Sequence, residues 1–259
     1  MPALVIAVGL IGLLIGSFLN VVIHRVPAGE SIVSPPSRCP GCGNLISPRD
    51  NIPVISWLLL RGRCRTCHEP ISARYPLVEL LTAAVFALMA WRFGLAWDLP
   101  AYLYLGAVGV ALAAIDLDTK RLPNVIVLPS YPVAAVLFLL PALLEGQWDN
   151  YVRAIAGATA LFGVYFLLAL IHPAGMGFGD VKLAGVLGAY LGWLGWAALV
   201  VGGFLGFALG AVVGVAMMVA GRAGRRTALP FGPFMLLGTL LAIFLAEPLS
   251  QWYLGLVGL

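Results

Sequence analysis

Charge is scarce in this chain. Asp, Glu, Lys and Arg make up 10% of its 259 residues, against about 25% in an ordinary soluble domain. With 61% hydrophobic residues and a mean hydropathy of +1.01, a water-soluble globule is excluded. A separable secretory leader is also lacking. The apolar run over residues 3–23 has no basic start and no convincing cleavage site, and so reads as a retained transmembrane helix. No internal repeat is visible, whereas a transporter built from paired halves would show one. The net charge of +4 gives no reason to invoke nucleic acid, because the placement of the basic residues accounts for it better. Cysteine is limited to four residues, all between positions 39 and 67.

What the chain does have is apolar runs. Eight can be drawn, over residues 3–23, 77–95, 100–116, 124–143, 153–171, 181–197, 199–220 and 229–247. Each is close to the ~20 residues that span a bilayer as a helix. The expected fold class is therefore all-α, a polytopic membrane bundle of about eight helices with a small polar loop domain. The sixth and seventh runs are divided only around Trp193 to Trp196. Alternating the runs across the membrane sorts the 15 Lys and Arg residues. Arg25, Arg38, Arg49, Arg61, Arg63, Arg65, Arg74, Lys120, Arg121, Lys182, Arg222, Arg225 and Arg226 fall on one side, and only Arg92 and Arg153 on the other. Basic residues accumulate in the cytoplasm, so the rich side is assigned there and both termini face outward.

The polar segment from His24 to Pro76 carries Cys39-Pro40-Gly41-Cys42 and Cys64-Arg65-Thr66-Cys67, with 21 residues between the pairs. Two such knuckles suit a closed tetrahedral site of four thiolates, the usual structural zinc arrangement. A cytoplasmic loop disfavours the alternative of two disulfides. A segment this short buries little core, so a structural zinc on Cys39, Cys42, Cys64 and Cys67 is expected to hold it folded. His68 reads as a neighbour of the site and not as a ligand.

Two acids end apolar runs at the basic, cytoplasmic side. Gly175-Met176-Gly177-Phe178-Gly179-Asp180-Val181-Lys182 opens the sixth run, and Ala114-Ile115-Asp116-Leu117-Asp118 closes the third. Ionisable groups at membrane depth are costly and so are functional candidates. A plainer reading makes Asp180 a helix cap, the glycines its entry turn and Lys182 an interfacial anchor. The glycines also leave room for a substrate strand or another backbone to approach. Asp116 ends the apolar run, and two residues along a helix turn a side chain by about 200°. Asp116 and Asp118 are therefore not expected to face the same partner.

These motifs resemble those of the type IV prepilin leader peptidases, membrane aspartic proteases of the GxGD class. Gly177-Phe178-Gly179-Asp180 matches the GxGD signature, and Asp116 through Pro123-Asn124 is similar to the first-aspartate motif of that family. The resemblance also takes in Gly16-Ser17-Phe18-Leu19-Asn20, Arg74-Tyr75-Pro76-Leu77-Val78-Glu79 and the segments around both cysteine pairs, and so covers nearly the whole chain. It implies an aspartic endopeptidase in a bacterial inner membrane. Such an enzyme removes the short basic leader of a prepilin or pseudopilin after Gly at the cytoplasmic face, then N-methylates the new terminus with S-adenosylmethionine. Asp116 and Asp180 are the implied catalytic pair, with Gly177, Gly179 and Lys182 in support. The implied division is a first helix over 1–23, a zinc domain associated with methyl transfer over 24–76, and a peptidase core over 77–259. No methyl-donor fingerprint is visible, so the donor rests on the resemblance alone. Glu79 is either a methyl-transfer residue or a partner of Arg74, the pairing being preferred. Pro230-Phe231-Gly232-Pro233-Phe234 also resembles a family segment and reads as a rigid helix entry without chemistry.

Two carboxylates can hydrolyse a peptide when one is ionised to activate water and the other protonated to donate to the carbonyl. Asp116 and Asp180 are 64 residues apart, so only a fold that sets the third run beside the sixth can join them. The alternative function is a proton-coupled transporter using the same two acids. A zinc hydrolase is disfavoured because four thiolates leave no open metal position for water. A non-catalytic assembly factor is a third possibility.

Overall fold

The computed structural model describes residues 1–173, 175–222, 224 and 229–257. Arg225 and Arg226, counted above on the basic side, lie outside the described residues. The elements are all helical: α1 (Pro2–Ala28), a short α2 (Ile55–Leu59), α3 (Arg74–Phe93), α4 (Leu99–Thr119), α5 (Asn124–Leu144), α6 (Trp148–Ile171), α7 (Phe178–Leu194), α8 (Trp196–Val219) and α9 (Gly232–Val257). Seven of these are long and apolar enough to cross a membrane. The expected sixth span is α7, which has only 17 residues.

Helix ends depart from the apolar runs where a local signal overrides hydropathy. The first helix runs on to Ala28 and stops at Gly29, whose φ of 71° lets its N–H return to the carbonyls of Arg25 and Val26. The uncertain division between the sixth and seventh runs is resolved at Gly195. Its φ of 151° suits glycine alone and ends α7 one residue before α8 begins.

The chain forms two compact units, residues 1–111 and 112–259. In the first, α1 lies directly against α3. A Cβ on Gly12 would come within 2.7 Å of the Ala83 Cα, and one on Gly16 within 2.7 Å of the Glu79 Cα. Small residues at such contacts let helix backbones approach, which is how membrane helices associate without a hydrophobic driving force.

In the second unit, α7 is the inner helix. Eleven of its residues are buried, which explains why it is apolar all round and why its first-turn acid stands out. Gly188 meets Gly157 of α6 backbone to backbone, and Gly192 packs beside Arg153 and Gly157. The glycine face of α8 is internal: Gly202 packs on Leu191 and Ala242, and Gly206 lies against the α9 backbone. The far end of α7 is closed by Arg153. Its Nε donates to the Gly192 carbonyl at 2.7 Å, and a terminal nitrogen donates to the Trp193 carbonyl at 2.8 Å. A cation on the last carbonyls of a helix satisfies groups that have no intrahelical partner. Arg153→Ala is therefore expected to destabilise the protein by about 1.5–3 kcal/mol, the range for hydrogen bonds to a charged group. Thermal unfolding in detergent, with Arg153→Lys as the milder comparison, checks this; an unaltered midpoint for Arg153→Ala would refute it.

Candidate functional site

Asp116 is the inward-facing acid of its pair. Its side chain is buried, at 4% exposure, whereas Asp118 on the next part of the turn is exposed. One carboxylate oxygen of Asp116 accepts the Gly232 backbone N–H at 3.0 Å. Gly232 is the first residue of α9, so this donor is one of the N–H groups a helix leaves unsatisfied at its start. Any side chain at 232 would obstruct it, since a Cβ there would sit 2.9 Å from that same oxygen. The Phe231 ring packs at a tilt against Phe207 and Tyr165, at centroid distances of 5.2 and 6.3 Å, beside the entry of α9. The Pro230–Phe234 segment, read from sequence as a helix entry without chemistry, thus supplies a direct partner to Asp116. Its motif match was the available signal, but nothing in the segment discloses which distant side chain its N–H will meet.

Asp180 lies in the first turn of α7. Its carboxylate accepts the Gly177 N–H at 3.2 Å, and its own N–H returns to the Gly177 carbonyl at 3.0 Å. The capping reading is therefore met geometrically. It does not exhaust the residue, because Gly179 beside it and Gly232, the partner of Asp116, both pack on Leu122. The fold brings together the two acids that the sequence separates by 64 residues. Gly179 is approached by the chain's own Leu122, whose Cβ would lie 3.1 Å from an added Cβ; Leu122 also flanks Gly232. The missing side chains at 179 and 232 thus let Leu122, from the first-aspartate segment, fit between the start of α7 and the start of α9.

Lys182 joins the motifs directly. Its Nζ donates to the Asn124 side-chain oxygen at 2.9 Å and lies 4.9 Å above the Phe178 ring. Its backbone carbonyl accepts the Tyr131 hydroxyl at 2.7 Å. Asn124 closes the first-aspartate motif, and Lys182 stands two residues after the second aspartate. Sequence reading left Lys182 between anchoring at the cytoplasmic interface and supporting Asp180, and gave Asn124 and Tyr131 no task of their own.

The four cysteines form a separate cluster in the first unit. Their sulfur atoms all lie within 4.8 Å of one another, and none is in a disulfide. The Cys39 and Cys67 sulfurs are 3.7 Å apart. Sulfurs at ~2.3 Å from a tetrahedral zinc are separated by about 3.8 Å, so the donor set fits such an ion. Each knuckle is a tight backbone turn. Cys39 N–H donates to the Asn44 carbonyl and Gly43 N–H to the Cys39 carbonyl; Cys64 and His68 repeat the pattern with Glu69 and Cys64. Beside the cluster Arg65 forks onto Asp50 and holds its carboxyl below the usual range.

Glu79 is also buried, at 7% exposure, and accepts the Val54 backbone N–H at 2.7 Å. Val54 has a φ of 60°, a strained value for a β-branched residue. The carboxylate therefore ties the cysteine-bearing loop to α3, a role the preferred Arg74 pairing did not anticipate.

Comparison with known proteins agrees with the sequence resemblance over both units. The bacterial peptidase A24 N-terminal domain matches residues 10–93, and the type IV leader peptidase family matches residues 102–217. A prepilin leader peptidase/N-methyltransferase of Aeromonas hydrophila is 39% identical over 95% of this chain and 92% of its own. The protein of the same description from Pseudomonas aeruginosa is 37% identical over 99% of this chain and 95% of its own. A third, from Myxococcus xanthus, is 43% identical over 87% of this chain and 67% of its own. No solved structure matches significantly.

Proposed function

We propose a division of labour for this chain, which belongs to the type IV leader peptidase family: it is a prepilin leader peptidase with N-methyltransferase activity, and Asp116 and Asp180 carry the peptidase step. The observation that supports the assignment is that Leu122, six residues after Asp116, packs both on Gly179 beside Asp180 and on Gly232, whose N–H binds Asp116. One carboxylate takes a proton from the attacking water while the other donates to the scissile carbonyl. The Gly232 N–H holds the Asp116 carboxylate in place through this exchange. A short basic leader would remain on the cytoplasmic side of such a pair while the rest of the precursor enters the bilayer, in keeping with the basic residues gathered there. The substrates of this reading are prepilins or pseudopilins in a bacterial inner membrane.

The four thiolates bind zinc as a structural ion and keep the loop between α1 and α3 folded. Cys39, Cys42, Cys64 and Cys67 fill every position of that ion, so it takes no part in peptide hydrolysis. Methyl transfer uses S-adenosylmethionine. It follows cleavage, because the amine it modifies is locked in a peptide bond until the leader is removed. Purified protein incubated with a full-length prepilin, and read by mass spectrometry for leader loss and a mass gain of one methyl group, tests the whole reading. An intact precursor after prolonged incubation with folded enzyme would defeat it.

Lys182 acts as a positioning residue in the same reading. It holds the first-aspartate segment to the second through Asn124. Lys182→Ala is expected to lower kcat for cleavage by about 10-fold with little change in KM, in line with the cost of misplacing reacting groups. Lys182→Arg should restore part of the loss and Asn124→Ala should resemble Lys182→Ala. A KM effect at unchanged kcat would instead make Lys182 a substrate contact.

A further inference from the structure

The short helix α2, in the cysteine-bearing loop of the first unit, turns its apolar side chains outward. Ile55, Leu58 and Leu59 are 54%, 61% and 78% exposed, and their i, i+3, i+4 spacing sets all three on one face. The other side is occupied. Ser56 is buried, and Trp57 donates its indole N–H to the Ile71 carbonyl at 3.0 Å. We propose that α2 is an interfacial helix, lying in the lipid leaflet on the loop's side of the membrane. Ile55, Leu58 and Leu59 sit among acyl chains, with Arg61 and Arg63 at the level of the lipid phosphates. This inference does not depend on the peptidase reading.

Three observations select lipid as the occupant, and the first is depth. Glu79 stands five residues into α3 from Arg74, about 7.5 Å along an axis long and apolar enough to cross a membrane. Its carboxylate accepts the N–H of Val54, the residue immediately before α2, at 2.7 Å. Thus α2 starts beside the second turn of a spanning helix, not above its end. Interfacial helices lie about 5–10 Å into the headgroup and acyl boundary, the depth that this hydrogen bond sets. Leu77, Leu80 and Leu81, around the same turn of α3, are exposed as lipid-facing side chains are.

The second is the backbone. A helix normally leaves its first N–H groups to water, and lipid cannot supply partners for them. Here Ile52 donates to the Ser56 hydroxyl at 3.0 Å, Val54 to Glu79, and Ile55 to the Pro53 carbonyl at 2.6 Å. Pro53 has no N–H to satisfy. At the exit, the N–H groups of Leu60, Arg61 and Gly62 return to the Ser56, Leu58 and Trp57 carbonyls. A turn facing water has no need of such closure. The third is charge. Arg61 and Arg63 follow α2 directly, both side chains are exposed, and neither makes an ion pair among the described residues. Guanidinium groups beside an apolar face match phosphate above hydrocarbon. A purely apolar protein partner would leave them unpaired.

The test uses the full chain in phospholipid proteoliposomes, with a fluorescent amino acid at position 59 that is excited apart from the seven Trp. The same residue at position 81 of α3 is the lipid-facing reference. Bromine carried on the acyl chains should quench both positions to a similar degree, and iodide in the water should quench neither strongly. Adding Leu58→Asp should bring position 59 toward water and raise its iodide quenching at least about twofold. A benzophenone side chain at 59 gives a second measurement that needs no acidic variant, and it should cross-link to phospholipid. Iodide quenching at 59 equal to that of the free fluorophore would overturn the proposal, as would acyl bromines that reach 81 but not 59. Cross-links to a second copy of the chain, or to added prepilin, in place of lipid would overturn it as well.

Discussion

Asp180→Asn and Asp116→Asn are each expected to lower kcat for leader cleavage by at least the 10²–10⁴-fold typical of losing a positioned acid or base. The loss at either position should be close to that of the double variant, because residues that act as a unit do not contribute additively. Asparagine preserves the shape of both side chains. At 116 it keeps a carbonyl oxygen to accept the Gly232 N–H, and at 180 one to accept the Gly177 N–H. Folding should therefore survive, and equal thermal midpoints in detergent would establish that. Asp118→Asn supplies the contrast: its side chain is exposed, two residues further along α4, and the variant should retain most activity. The rate of the unaltered enzyme should be bell-shaped in pH, since cleavage needs one acid ionised and the other protonated. Normal cleavage by folded Asp180→Asn would falsify the pair. Chelators should leave the cleavage rate unaffected once the enzyme is folded, because the proposed step uses two carboxylates and an ion closed by four thiolates has no open position for water.

The readable parts of this molecule were those set by one-dimensional pattern. Apolar runs yielded the helices from α3 to α9 to within a few residues at most ends, and the paired CxxC spacing pointed to a thiolate cluster that the fold then closes to 4.8 Å. Asp116 could be preferred to Asp118 from helical rotation, and burial separates the two in that sense. Hydropathy failed where a backbone cap decides the boundary, as at Gly29, and where a helix is fully enclosed. The apolar run continues past Leu194, yet α7 stops there because Gly195 breaks it and Arg153 covers its last carbonyls. Less legible still were the partners of the acids. The Gly232 N–H and Asn124 oxygen reach their mates across 116 and 58 residues. Such pairings depend on packing of glycine against leucine and alanine, and no local spacing records that. Glu79 illustrates the same limit, because its acceptor role depends on a strained turn at Val54 that propensities argue against.

Serine at Cys39 and Cys42 together is expected to remove the metal and most of the methyl transfer, while cleavage falls less. Four thiolates close a structural site, so elemental analysis of the unaltered protein should find about one zinc per chain. The double variant should find close to none, since two ligands cannot hold the ion against a chelator. Loss of the ion should open the loop to proteases, because metal binding and folding are a single equilibrium in domains of this size. The Arg65–Asp50 pair cannot substitute for it, being a surface contact screened by solvent that contributes little. In the proposed assignment cleavage uses Asp116 and Asp180 of the other compact unit, which keeps its own packed helices. The reverse experiment uses Asp180→Asn, which should leave intact precursor unmethylated for want of a free amine. Given pilin already cut by another enzyme and S-adenosylmethionine, the same protein should methylate the terminus at a near-normal rate, read by mass spectrometry. If folded Asp180→Asn cannot modify pre-cut pilin, the two reactions share the aspartates. If the cysteine variant loses zinc but methylates normally, the metal-bound loop has no part in methyl transfer.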